Sequence, residues 1–211
     1  MKPMQEHWEK QAATIIRHLK KRGMEGYYCQ NSQDAVAQAL SLIPDHSSVS
    51  WGGSMTLTEC GLMESLKQSD LTLIDRDSAK SPEERESLLR QAFLADYYFM
   101  SANAITLDGQ LVNIDGSGNR VAALCFGPRH VIIMVGMNKA ASNVEEAISR
   151  VHRTAAPPNA LRLSLNTPCS STGVCTDCLS ADCICAQTVV TRFNRTAGRI
   201  HVILIGEHLG Y

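Results

Sequence analysis

Two hydrophobic periods alternate along this chain. In residues 4–22, Trp8, Ala12, Ile15, Ile16 and Leu19 recur at helical spacing, and Gly23 supplies a stop. Residues 25–29 read as a short strand. Asn31 or Ser32 can cap a helix carrying Ala35, Val36, Ala39, Leu40 and Ile43, which Pro44 ends. Residues 47–51 form a strand that runs into Gly52-Gly53-Ser54, and a helix bearing Leu57, Cys60, Leu62, Met63 and Leu66 follows. After a strand at 71–75, Ser81-Pro82-Glu83-Glu84 marks a helix start. Residues 97–106 and 111–115 flank Asp108-Gly109 as the arms of a hairpin. A short helix is expected at 121–126, a buried strand at 130–135 (HVIIMV), a helix at 143–151 and a last strand at 199–205 (RIHVILI). Strands alternating with helices predict an α/β fold: a mostly parallel sheet with helices on both faces, plus one antiparallel element. Ala155-Ala156-Pro157-Pro158 is the expected boundary, dividing an α/β core over 1–156 from a cysteine-rich segment over 157–211 whose strand returns to the core.

Open α/β sheets bind ligands beyond the carboxyl ends of their strands. Three glycine- or amide-bearing loops fit that rule. In the first, Gly52, Gly53, Ser54 and Thr56 offer backbone amides to an anion, and Glu59 lies one turn on. The second carries Asn113, Asp115, Gly118, Asn119 and Arg120, the last able to grip a carboxylate with two parallel N–H bonds. The third offers Asn138 and Lys139. No dinucleotide fingerprint is present. Cys29, Cys60 and Cys125 sit among apolar residues and are expected to be buried, and His130 reads as structural.

The remaining five cysteines crowd into TPCSSTGVCTDCLSADCICAQ. Cys169, Cys175, Cys178, Cys183 and Cys185 follow the spacing C-x5-C-x2-C-x4-C-x-C, with one compact pair and no histidine inside the run. Structural zinc favours two separated pairs. Compact cysteine runs are the habit of iron–sulfur clusters, so a cluster, with 4Fe–4S the expected type, is preferred over zinc, with redox or unliganded thiols and then disulfides the remaining alternatives. Either Cys183 or Cys185 can be the fourth ligand. Composition narrows the rest. A net charge of −1 without a basic run argues against nucleic-acid binding. No apolar run approaches the roughly 20 residues of a membrane span, and MKPMQEHWEK lacks a leader's apolar stretch, so a cytoplasmic location is expected.

The run ITLDGQLVNIDGSGNRVAALCFGPRHVIIMVGMNK, with the earlier WGGSMTLTECG, resembles the LUD (lactate utilisation) domain family. The ending, TPCSSTGVCTDC followed by GRIHVILIGEHLGY, is similar to the tail of stand-alone bacterial members. The family pattern falls on Gly53, Ser54, Thr56, Glu59, Gly61, Asn103, Asp108, Gly109, Asn113, Asp115, Gly118, Asn119 and Arg120. The resemblance implies a sheet similar to that of sugar isomerases and CoA transferases. It also implies a part in oxidising L-lactate to pyruvate alongside iron–sulfur partner subunits.

The leading expectation is therefore an iron–sulfur protein that serves oxidation of a small 2-hydroxy acid. Arg120, Lys139 and the amides of Gly52 to Ser54 would hold the carboxylate, Glu59 or Asp115 would be the base, and the cysteines would pass electrons. Two rivals stand beside it: an isomerase or CoA-transferase-like enzyme with Glu59 as base or nucleophile and a structural metal, and a non-catalytic protein sensing a carboxylate or redox state. The oligomeric state is not readable.

Overall fold

The computed structural model describes residues 3–211; Met1 and Lys2, the first two positions of the stretch read for a leader, lie outside the described residues. Among the described residues ten strands build two sheets: β1 (Glu25–Cys29), β2 (Ser48–Trp51), β3 (Thr72–Ile74), β4 (Tyr97–Met100), β5 (Ala104–Thr106), β6 (Leu111–Asp115), β7 (His130–Gly136), β8 (Ala140–Ala141), β9 (Gln187–Thr191) and β10 (Ile200–Ile205). The larger sheet runs β1-β10-β7-β4-β2-β3 and every pairing in it is parallel. The chain is therefore the α/β protein that the alternation predicts.

Burial on both faces explains the apolar runs. Val131, Ile133 and Val135 of β7 face a core with Ala12, Ile15 and Leu19 from the first helix, Pro3–Lys21. Ile132 and Met134 face the opposite core with Val36, Leu57 and Phe99. Alternate side chains of a strand point to opposite faces, so a central parallel strand must be apolar at every position.

The smaller sheet runs β8-β5-β6-β9. Residues 97–106, expected as one hairpin arm, break at Ser101–Asn103: β4 stays in the large sheet and β5 pairs antiparallel with β6 in the small one. The hairpin turn holds, with Gly109 at φ +80° and Arg22 bonded to the Asp108 carbonyl. A second difference concerns the helix after Gly53. It is two short helices, Met55–Glu59 and Leu62–Lys67, because Gly61 adopts φ +81° between them.

The stretch expected as a domain boundary is helical. Val144–Arg150, the π-helical Val151–Ala155 and Ala156–Arg162 follow without a break. Pro157 and Pro158 have no N–H, so the carbonyls four residues back lose their partners, and Ala156 N–H instead reaches Val151 five residues back. β9, which the apolar pattern did not announce, follows the cysteine segment. Cys29 and Cys60 are buried, whereas Cys125 is exposed at the end of Asn119–Cys125, a correction to its expected burial.

Candidate functional site

A cavity of about 250 Å³ opens at the carboxyl ends of β2, β3, β4 and β7. The first predicted loop contributes Gly53 and Ser54, the second Asp115, Asn119 and Arg120, and the third Lys139. The opposite wall comes from the π-bulged helix through Val151, Ala155 and Asn159, and from Ile184 and Cys185 of the cysteine segment. Three dispersed loops and the distant tail thus meet in one place.

Register explains why Cys185 reaches the cavity. β9 begins at Gln187, paired with Asp115 at the end of β6, so the residues just before Gln187 must lie beside the Asp115 loop. Gly116 allows the close approach: a Cβ there would sit 3.1 Å from Ile184 Cα.

The cavity is cationic. Arg76, Arg120, Lys139 and Arg162 line it, and among the described residues Asp115 is its one acidic side chain. Asp115 is committed to structure, because one of its oxygens accepts the Arg120 and Val121 amides at 3.0 and 3.2 Å and lies 3.5 Å from Arg120 Nε. Arg120 also donates to the Ile114 carbonyl at 2.8 Å, which fixes its guanidinium in place. Gly52 does not line the cavity; it makes room for Arg120, whose Cγ would be 2.7 Å from a Cβ at that position. Gly53 does the same for Arg76, at 2.8 Å from its terminal nitrogen. Arg76 Nε is buried with no hydrogen-bond partner among the described residues and only the Asp77 carboxylate at 3.5 Å, so it is an incompletely satisfied donor of the kind an anionic ligand completes.

Lys139 is the most perturbed group. It is only 4% exposed, and its Nζ donates to Thr56 Oγ1 at 2.7 Å and Ser101 Oγ at 3.2 Å. Burial, reinforced by the positive charges of Arg150 and Arg120, brings its pKa down to about 7; Glu59 pulls weakly the other way. Thr56, predicted as a binding residue, lies beneath the cavity as the anchor of this amine. Glu59 is exposed and outside the lining, where its carboxylate accepts the Gly210 N–H at 2.6 Å. Asn138 pins the same tail, accepting from Leu209 N–H and donating to the Gly210 carbonyl. Gly118, at φ +81°, starts the helix that carries Arg120. Asn113 is buried on β6 outside the lining, and neither of its amide atoms has a partner among the described residues; nothing in the structure explains this.

Sequence reasoning missed Arg76, Ser101 and Arg162, and marked Asn103 only through the family pattern. The first had a readable signal, a basic residue directly beyond the end of a strand. Ser101 was hidden inside the run read as one strand.

The five clustered cysteines are near one another and unpaired. Burial, then the charges of Cys183, Cys175, Cys169 and Cys178, push the Cys185 thiol up to about 12. Cys178, bonded by Ser180, shifts down. Cys185 N–H donates to Cys183 Sγ and Asp177 N–H to Cys175 Sγ, and His152 Nδ1 lies 3.3 Å from Cys175 Sγ. Such thiols, with backbone donors aimed at sulfur, fit a thiophilic metal group by their donor chemistry. Among the described residues, no three His, Cys, Asp or Glu side chains converge closely enough to hold an ion. No described helix is long and apolar enough to cross a membrane.

A parallel α/β sheet with a cationic cavity at its carboxyl edge defines the class to which this protein belongs. The LUD domain pattern matches residues 12–205, and the chain belongs to the LUD domain family, which is associated with lactate utilisation. A crystal structure of a DUF162 family protein from Deinococcus radiodurans shares the fold, with a TM-score of 0.52 at 12% identity over 94% of this chain and 98% of that one. The δ subunit of eIF2B from Chaetomium thermophilum matches at a TM-score of 0.37 and 19% identity over 56% of this chain and 50% of that one. Among curated proteins, none matches in sequence.

Proposed function

We propose that this chain binds a small 2-hydroxy or 2-oxo acid in the cavity and serves L-lactate oxidation together with iron–sulfur partner subunits. One observation carries the reading: the cationic cavity and the cysteine segment share a wall at Ile184 and Cys185. A carboxylate placed there would complete the Arg76 donor, which has only Asp77 at 3.5 Å, and would neutralise part of a cluster of guanidinium groups whose one lining side-chain acid among the described residues, Asp115, is already hydrogen-bonded. Cys169, Cys175, Cys178 and either Cys183 or Cys185 would hold the iron–sulfur cluster, which when bound supplies a nearby acceptor for single electrons. Zinc in the same place would be a structural clip.

In this reading Arg120 grips the carboxylate while the Ile114 carbonyl and Asp115 keep its guanidinium oriented. Lys139, rather than Glu59 or Asp115, takes the hydroxyl proton. Asp115 is occupied by two amides, Glu59 stands outside the lining, and a base is most effective with a pKa near the working pH. The position of Glu59 also leaves the isomerase or CoA-transferase alternative without a carboxylate nucleophile in the cavity. Non-catalytic sensing of a carboxylate would use the same cavity without turnover.

Anaerobically purified protein should bind L-lactate and pyruvate by calorimetry, with Arg120→Gln weakening both at least tenfold. It should also contain iron with matching acid-labile sulfide. Failure of both acids to bind would remove the carboxylate reading, and zinc without sulfide would remove the redox part.

A further inference from the structure

We infer that Lys139 is a nucleophilic amine that forms a reversible imine with the carbonyl carbon of a 2-oxo acid seated in the cavity. The inference rests on the carboxylate reading above and adds a covalent activity to the same site.

Position comes first. Lys139 closes the turn Met137–Lys139 directly beyond the central strand β7 and lines the cavity despite its burial. Its two hydrogen-bond partners are neutral hydroxyls. Thr56 can spend its own proton on the Leu209 carbonyl and Ser101 on the Ala102 carbonyl, so both accept from Nζ and neither competes for its lone pair. A tetrahedral amine with two N–H bonds so used keeps one direction for a ligand. The chain even clears that space: a Cβ on Gly210 would lie 3.3 Å from Nζ.

Charge comes second. Among the described residues Lys139 has no carboxylate ion-pair partner, so its burial is not that of a structural salt bridge. The charged groups acting on it are Arg150 from the helix Val144–Arg150, Arg120 from the helix Asn119–Cys125, and Glu59 from the helix Met55–Glu59. Two cations outweigh one distant anion, and with burial they favour the neutral, attacking form. An ordinary lysine is neutral in only about one molecule in a few thousand at pH 7.

Chemistry comes third. In a 2-oxo acid the carbonyl carbon adjoins the carboxylate, so an arginine grip on the acid presents that carbon to the cavity wall. The Nζ lone pair forms the C–N bond as the carbonyl π bond breaks. The carbinolamine then loses its oxygen, with both former N–H protons, as one water. No oxidant or reductant is required, and hydrolysis restores the free amine.

The test is to incubate the protein with pyruvate and sodium cyanoborohydride, whose hydride reduces the imine to a stable secondary amine, and to map modified lysines by mass spectrometry. Lys139 should be labelled at least tenfold faster than any other lysine, with the trapping rate half-maximal near pH 7. L-Lactate, which lacks the carbonyl, should give no adduct. Lys139→Met should lose the label while unfolding at or above the wild-type temperature, which separates loss of the amine from misfolding. Pyruvate that raises the Tm without labelling Lys139, or that labels surface lysines equally, overturns the imine and leaves the carboxylate reading intact. Neither a Tm shift nor an adduct overturns both.

Discussion

The two walls of the cavity are built on opposite principles. The wall from the large sheet is buried and hydrogen-bonded before any ligand arrives: Lys139 on Thr56 and Ser101, Arg120 on Ile114 and Asp115. The wall from the cysteine segment has almost no regular structure between Thr172 and Gln187, and its side chains are largely exposed or half-buried. Several of its polar contacts run through sulfur, as in Cys175 with His152, beside the Asn166 N–H that Asp182 accepts. The first wall is preorganised for recognition, because parallel strands hold their carboxyl ends in register. The second is closed only by its anchors, Cys169 in the short helix Pro168–Thr172 and β9 beyond it. Preorganised binding residues and clustered thiols thus lie in different stretches of one chain.

The largest expected effect tests the preorganised wall through pH. Lys139 has a lowered pKa in the folded protein, about 7, against about 10.4 unfolded. Between those values the unfolded chain holds more protons, so stability rises with pH across that window; below about 7 the full cost of the buried amine is present. Guanidinium unfolding of the wild type and Lys139→Met should show the variant ahead at pH 7. Its advantage should shrink by on the order of 4 kcal/mol by pH 10, and a gap independent of pH would refute the buried neutral amine.

Next in size is Asp115→Ala, which strands two amides and the Arg120 guanidinium and should cost about 3 kcal/mol in a urea titration. An effect below about 1 kcal/mol would make the Asp115–Arg120 pair a solvated contact. Gly210→Ala follows. It places a side chain at φ +59° and within 2.7 Å of Thr56 Oγ1, and should cost about 1–2 kcal/mol while weakening pyruvate binding. The smallest effect tests the other wall. Cys175→Ser with Cys178→Ser should change global stability by less than about 0.5 kcal/mol. It should also abolish metal retention and leave residues 173–186 open to limited proteolysis. A large loss of global stability instead would mean that the two walls fold as one unit.

Much of this organisation is legible residue by residue. HVIIMV and RIHVILI announce central strands because continuous apolarity has no other stable home in an α/β chain. The glycine loops announce the cavity because strand ends are where ligands sit. What only the fold adds is equally specific. Glu59, a carboxylate one turn beyond a glycine loop, has the chemistry of a base, and the folded tail brings the Gly210 N–H onto its carboxylate. Pro157-Pro158 lies at the expected boundary, where a π turn absorbs the missing donors inside a helix.

By itself the sequence determined the class of fold, the family, the cavity loops and the clustering of thiols, because each depends on local period, spacing or composition. Only the tertiary structure decided that burial lowers the Lys139 pKa, that Arg76 joins Arg120, and that Cys185 faces the same cavity. Those properties depend on desolvation, on the sum of charges from helices far apart in the chain, and on strand register. None of them exists until the sheet brings residues 53, 76, 120, 139 and 185 together.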